Sequence, residues 1–176
     1  LFAAFPIVYA TVFSGFYVAM MLLLLGLILR AVAIEFRSKQ PGARWRRGWD
    51  RAFAIASVGS SLLMGVAFGN VIWGIPIDGA GEFAGSFVSL LTPYALLTGI
   101  TTVALFMMHG AIYLLLKTDG DTQRMVKGWI NNTTIFFLVC YASTTMATLV
   151  YRPGMAAAIK ASPELFVLPV LTMLAI

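Results

Sequence analysis

His109 is the only imidazole in the sequence, and imidazole is a common axial ligand of haem iron and a common proton relay. It lies within an uncharged apolar run, between Met108 and Gly110. Ionisable groups in such runs are often functional, so His109 is a candidate for either role. A haem held by two imidazoles would need a second histidine, and a neutral imidazole bonded to a neighbouring helix would fit equally well. We therefore predict no haem-binding residue in this chain and keep His109 as the one candidate.

Other residues with metal or redox chemistry are scarce. Cys140 is the only cysteine, which excludes an intrachain disulfide and a site built from several thiolates. The seven carboxylates are scattered along the chain. The sequence therefore predicts no metal site.

Three charged residues flank the first two apolar runs. Arg30 is the first charge after 29 uncharged residues, which predicts a position at the membrane interface, where a buried charge needs a partner. Glu35 precedes Lys39 by four residues, a spacing that favours an ion pair on a helix. Asp50 opens the next apolar run from the same side. We predict a charge network of Arg30, Glu35 and Asp50 at this end, with Arg30 and Asp50 within reach of each other.

Small residues recur every four positions in the second apolar run. They are Ser57, Ser61, Gly65 and Gly69, and small residues at this spacing let another helix backbone approach closely. The pattern predicts a packing face, either for a helix of the same chain or for a partner subunit. Asn70 follows directly, and its amide is expected to hydrogen-bond a neighbouring helix.

The composition predicts an integral membrane protein. Of the 176 residues, 60% are hydrophobic and 11% are charged, whereas soluble domains are about 25% charged. A net charge of +5 would suggest nucleic acid in a soluble protein, but basic residues that flank apolar runs are explained better by the membrane. We predict no nucleic-acid partner.

The clusters of charge separate five apolar runs. At about 20 residues per crossing, they predict four complete membrane-spanning helices and the start of a fifth, an all-α bundle. The predicted spans are 7–36, 53–73, 93–116, 128–151 and 164–176. A helix still apolar at the last residue, and a first residue other than Met, predict that residues 1–176 are one transmembrane region of a larger subunit, truncated at both ends.

The basic residues predict the orientation. Ten of the twelve Lys and Arg residues lie in or beside the first and third loops between the predicted spans. The other two lie in the fourth loop, on the opposite side of the membrane. Since Lys and Arg are retained in the cytoplasm, the loops 37–51 and 117–127 are predicted to be cytoplasmic and residue 1 external, in a bacterial inner membrane.

Several motifs in order along the chain resemble one family. In the first half they are Phe13-Ser14-Gly15-Phe16-Tyr17, Leu27-Ile28-Leu29-Arg30, Glu35-Phe36-Arg37 and Arg44-Trp45-Arg46-Arg47. They continue with Gly65-Val66-Ala67-Phe68-Gly69-Asn70 and Thr92-Pro93-Tyr94. The chain resembles subunit II of cytochrome bd-type quinol oxidases.

This resemblance implies an accessory subunit of a respiratory enzyme that oxidises a membrane quinol and reduces oxygen to water. Haem b, haem d and quinol oxidation are then expected in the partner subunit I, while this subunit packs against it and supports haem stability and proton supply. The resemblance also allows for a small single-span subunit, with lipids and quinone around the complex. The resemblance implies that the family's Trp-Asp-Gly-Asn motif, whose Asp is the best candidate for a proton path, would precede residue 1.

Two other functions remain open at this stage. One is a structural or assembly subunit with no part in proton transfer. The other is a fragment of a secondary transporter, which would show helices broken by Gly or Pro at the membrane midplane and a buried polar ion site. Most prolines lie at the ends of the predicted spans, which disfavours a transporter.

Overall fold

The computed structural model describes residues 3–79 and 82–157 and the single positions 164, 167 and 171. These residues form five α-helices and two short 3-10 turns, and the one β pairing among them is an isolated bridge between Ile77 and Phe83. The helices are α1 (Pro6–Gly15), α2 (Tyr17–Arg37), α3 (Ala43–Trp73), α4 (Pro93–Lys117) and α5 (Gly120–Tyr151). The 3-10 turns are Val88–Leu90 and Pro153–Ala156. The predicted all-α fold is confirmed.

Helices α2 to α5 are each long and apolar enough to cross a membrane, which confirms the four complete spans. Most of the predicted fifth span, 164–176, lies outside the described residues. Even in α3, the most enclosed of the four, only 28% of the most apolar stretch is buried within the chain. The bundle therefore presents a largely apolar surface to lipid or to other chains.

The first predicted helix, 7–36, is divided at Phe16. Helical hydrogen bonds run across the division, since the Phe16 N–H donates to the Val12 carbonyl at 2.9 Å. The division coincides with packing against the α3–α4 connection. Phe16 is buried with Leu90, and a Cβ on Gly15 would lie 3.0 Å from the Phe83 ring. The break in the helix thus coincides with contacts to a distant connection. The hydropathy pattern of the first apolar run alone cannot predict such contacts.

Two helices begin earlier than the apolar runs predict. Helix α3 begins at Ala43 instead of 53, and α5 begins at Gly120 instead of 128. Hydropathy locates where a helix enters the hydrocarbon, whereas the helix itself continues through polar residues that also favour helix. At 1.5 Å per residue α3 is about 46 Å long, so it extends beyond a hydrocarbon layer of about 30 Å.

The start of α4 agrees with its sequence signals. Pro93 occupies the first turn, and the Thr92 side chain caps the helix by accepting the Ala95 N–H at 3.1 Å. In the described part of the chain, every extensive helix contact joins neighbours in sequence: α2 with α3, α3 with α4, and α4 with α5.

Candidate functional site

Gly65 and Gly69 lie where α3 meets α4 most closely. A Cβ on Gly65 would lie 2.7 Å from the Cα of Gly99, and a Cβ on Gly69 would lie 2.8 Å from the Cα of Ala95. Both distances are shorter than real Cβ contacts, so neither site has room for a side chain. The small-residue face is therefore occupied by a helix of the same chain at these two positions.

The serines of the predicted face are placed differently. The Ser61 hydroxyl donates to the Ser57 carbonyl at 2.8 Å within α3, and the Ser57 hydroxyl is buried without a hydrogen-bond partner among the described residues. Ser60 contacts α2 instead, because Gly26 leaves space for its side chain. The spacing of small residues in α3 did not predict the contact between Gly26 and Ser60. The available signal was a single glycine in the otherwise leucine-rich α2.

Asn70 connects α3 to the following connection. Its side chain is 2% exposed, and its amide nitrogen donates to the carbonyls of Val66 at 2.8 Å and Leu90 at 2.6 Å. The contact with Leu90 reaches the 3-10 turn before α4. The sequence predicted a hydrogen bond to a neighbouring helix instead. Asn70 thus orients the connection that leads into α4.

We expect Asn70→Ala to lower the free energy of unfolding by about 1 to 3 kcal/mol, because the buried Leu90 carbonyl loses its donor. Denaturant titration of the detergent-solubilised protein measures this. Thr101→Ala is the matched control, since it also removes hydrogen bonds between helices, for which about 0.6 kcal/mol is typical. Equal losses for the two variants would contradict the role given to Asn70.

Hydroxyl groups connect α4 with α5. The Tyr94 and Thr148 hydroxyls are 2.8 Å apart, and those of Thr101 and Thr144 are 2.7 Å apart. Thr101 also lies 3.3 Å from the carbonyl of Cys140, which is buried. These residues were not predicted from the sequence, although hydroxyl side chains cluster in both helices. They supply interhelical hydrogen bonds where lipid gives no hydrophobic drive for association.

The predicted pair of Arg30 and Asp50 is not formed. Asp50 instead accepts a hydrogen bond from the Arg37 Nε at 2.6 Å, and both side chains are about half exposed. The physical reason is the early start of α3, which brings Asp50 beside the end of α2, where Arg37 lies. The Glu35 carboxylate lies 3.0 Å from the Lys39 ammonium, also at the surface.

Arg30 lies apart from these pairs. Its guanidinium stands over the Phe53 ring, 5.5 Å from the centroid, and its Nε is buried without a hydrogen bond. Among the described residues it has no ionic partner. Arg30 is therefore a partly buried cation whose Nε donor is unused among the described residues.

Aromatic side chains hold both ends of the bundle. At the Arg37 end, the Trp45 indole donates to the Phe36 carbonyl at 2.8 Å, and Trp49 contacts both aromatic rings. At the other end, the Trp73 ring contacts the rings of Tyr94 and Tyr151, and the Arg152 guanidinium stands 4.9 Å above it. That cluster joins α3, α4 and α5.

His109 is exposed on α4, and its imidazole has no hydrogen bond to another described residue. In residues 3–79 and 82–157 and the described single positions, no group of three or more His, Cys, Asp or Glu residues could hold a metal ion. Taken together, the contacts define a polytopic α-helical membrane protein with a core of small residues and hydroxyls and with its charges at the ends of its helices.

Comparison with known proteins identifies the family. Residues 1–176 match the family model of cytochrome bd terminal oxidase subunit II, and the chain belongs to this family. It is 41% identical over 147 residues to cytochrome bd-I ubiquinol oxidase subunit 2 of Escherichia coli K12, covering 81% of this chain and 38% of that protein.

Two further relatives agree. A probable cytochrome oxidase subunit 2 of Haemophilus influenzae is 42% identical over 122 residues, 67% of this chain and 32% of that protein. Cytochrome bd ubiquinol oxidase subunit 2 of Bacillus subtilis is 35% identical over 127 residues, 72% of this chain and 38% of that protein. The chain matches well under half the length of these relatives.

Proposed function

We propose that this chain is part of an accessory membrane subunit of a terminal quinol oxidase, a complex that oxidises a membrane quinol and reduces oxygen to water. The observation that carries the proposal is the family match over residues 1–176. The described helices add support, since four of them could cross a membrane. A subunit numbered 2 in its family implies a subunit 1 as partner.

The described residues of this chain do not form a haem site of their own. His109 is the only histidine, and its imidazole lies on the surface of α4, where no second axial ligand from the described residues meets it. We therefore assign haem b, haem d and quinol oxidation to the partner subunit. This chain contributes packing and charge to the complex.

We propose that this chain supports the haems and the proton supply through Arg30, Glu35 and Asp50. These residues lie at the end of the bundle where α2 is followed by α3 and where basic residues are concentrated. What supports this is the difference between the three. Glu35 and Asp50 are paired with exposed cations, whereas Arg30 is partly buried and has no anion among the described residues. Arg30 is thus the residue with which another part of the complex would pair.

Purification of the tagged chain from membranes tests the function. A haem-bearing subunit and quinol-dependent oxygen consumption should co-purify with it, and deletion of its gene should remove both from the membrane. A chain that purifies without haem from cells with an active quinol oxidase of this type would overturn the proposal.

The orientation is also a proposal, with a direct test. In a variant in which Cys140 is replaced by alanine, a cysteine at Asp78 should react with an impermeant maleimide added to intact cells, and a cysteine at Arg44 or Arg124 should not. The reason is the excess of basic residues at the end that carries Arg44 and Arg124. The opposite labelling pattern would show that the subunit is inverted.

His109→Gln should leave the haem absorbance bands and the oxygen consumption of the assembled complex within about twofold of normal. Glutamine replaces the imidazole with another polar, hydrogen-bonding group. The effect is expected to be small because the exposed imidazole has no hydrogen bond within the described residues. Loss of one haem band from a normally assembled variant would instead make His109 a haem ligand.

A further inference from the structure

A cleft of about 480 Å³ opens between α4 and α5 at the Lys117 end of the bundle. Its apolar lining includes Phe106, Met107 and Leu114 of α4. Gly110 forms an open part of the wall, since nothing lies within 4 Å of a Cβ built on it. The volume is in the range of about 300 to 1,000 Å³ that is usual for small-molecule sites.

Two side chains of α5 bring unused hydrogen-bond donors to this cleft. Trp129 and Asn132 both line it, both are exposed, and neither the indole N–H nor the amide has a hydrogen bond to another described residue. At 1.5 Å per residue, Asn132 lies about 29 Å along α5 from Tyr151. If the Tyr151 end marks one boundary of a hydrocarbon layer of about 30 Å, Asn132 lies at the other boundary.

A cation follows beyond this level. Lys117 comes three residues after Leu114 and seven after Gly110, so it shares their face of α4. It lies about 36 Å along α4 from Pro93, and it has no ion pair with a described residue. Along the membrane normal, the cleft thus changes from apolar side chains to amide and indole donors and then to an ammonium group.

We propose that this cleft binds one phospholipid of the surrounding bilayer. A phospholipid has the same order of chemistry over the same depth, with acyl chains, ester carbonyls and then a phosphodiester. An acyl chain would lie against Gly110 and Met107, the Asn132 and Trp129 donors would bind ester and phosphate oxygens, and Lys117 would pair with the phosphate charge. The carbonyl oxygens of a quinone could accept hydrogen bonds from these donors, but a quinone carries no negative charge to neutralise the ammonium group. A protein helix would need a carboxylate at that depth.

Lipid analysis of the detergent-washed complex tests the proposal without using enzyme activity. Gly110→Leu places a side chain at the wall of the cleft, where nothing lies within 4 Å of its Cβ, and it should remove one tightly held phospholipid per complex. Gly59→Leu is the matched control, because nothing lies within 4 Å of its Cβ either, and it should keep the lipid. Equal phospholipid content in the Gly110→Leu variant and the original protein would overturn the proposal.

A second pair of variants tests the phosphate contact. Lys117→Gln should weaken phospholipid retention about fivefold. Lys127→Gln is the control and should not weaken it, because Lys127 is two residues from Trp129 and lies on a different face of α5. A photoreactive benzophenone side chain in place of Phe106 should crosslink to a phospholipid, identified by mass. Crosslinking to a polypeptide or to a quinone instead would overturn the proposal.

Discussion

Gly65→Leu is expected to reduce the amount of assembled complex at least tenfold. The Cβ alone would lie 2.7 Å from the Gly99 Cα, and backbone cannot move aside as a flexible side chain can. Overpacking in a well-packed interior costs about 1 to 3 kcal/mol, and 1.4 kcal/mol already corresponds to a factor of ten. Separation of α3 from α4 would also strain the contact between Asn70 and Leu90. The measurement is the quantity of this chain recovered with its partner from membranes.

Gly59→Leu serves as control, because Gly59 is in the same helix and has open space around its Cβ. It should assemble normally. Gly65→Ala should give an intermediate yield, since its single methyl group meets the same Gly99 backbone with less volume. If Gly65→Leu assembled as well as Gly59→Leu, the close approach of α3 and α4 would be wrong.

Arg30→Ala is expected to lower the haem-containing complex by tenfold or more, whereas Asp50→Ala should leave it nearly normal. The partly buried Arg30 guanidinium has no anion in the described residues, so we expect the assembled complex to supply one. A buried charge that loses its partner is left uncompensated at a cost of about 3 to 5 kcal/mol. Asp50 and Arg37 are about half exposed, and water can solvate either one alone.

Haem absorbance per purified chain and quinol oxidase activity are the readouts. Lys39→Ala is the control for removal of an exposed cation at the same end, and Arg30→Lys tests whether charge alone is sufficient. Near-normal values for Arg30→Ala would make Arg30 an ordinary interfacial residue and would leave the chain with a purely structural role. A large loss for Asp50→Ala would show that its partner in the complex differs from Arg37.

The apolar pattern predicted the ends of helices wherever the helix ends together with its apolar run. Trp73, Pro93 and Tyr151 are ends of this kind, each marked by an aromatic residue or by proline. The starts at Ala43 and Gly120 were missed, because helix continues in water and hydropathy carries no signal there. The division at Phe16 was missed because it depends on contacts with a connection about 70 residues later in the chain.

Spacing alone predicted the small-residue face but not its partners. Four residues exceed one helical turn of 3.6 residues, so a stripe with a period of four rotates by about 40° at each step. Over the three steps from Ser57 to Gly69 the stripe therefore turns away from a single neighbour. This is why Gly65 and Gly69 meet α4, while Ser60, outside the stripe, contacts α2. The predicted pair of Arg30 and Asp50 was wrong for a related reason. The position of Asp50 depends on where α3 begins, and the early start at Ala43 brings it beside Arg37.

Among the described residues, extensive contacts are restricted to consecutive helices, and this bears on how the chain is made. A helix that emerges from the insertion machinery finds its contact partner already in the membrane, because α3 follows α2, α4 follows α3 and α5 follows α4. Local contacts of this kind form rapidly and need no later helix to complete them. The bonds from Trp45 to Phe36 and from Asn70 to Leu90 then fix the first two of the three connections between α2 and α5. Folding can therefore keep pace with translation, and unpaired polar surface is exposed to lipid only briefly.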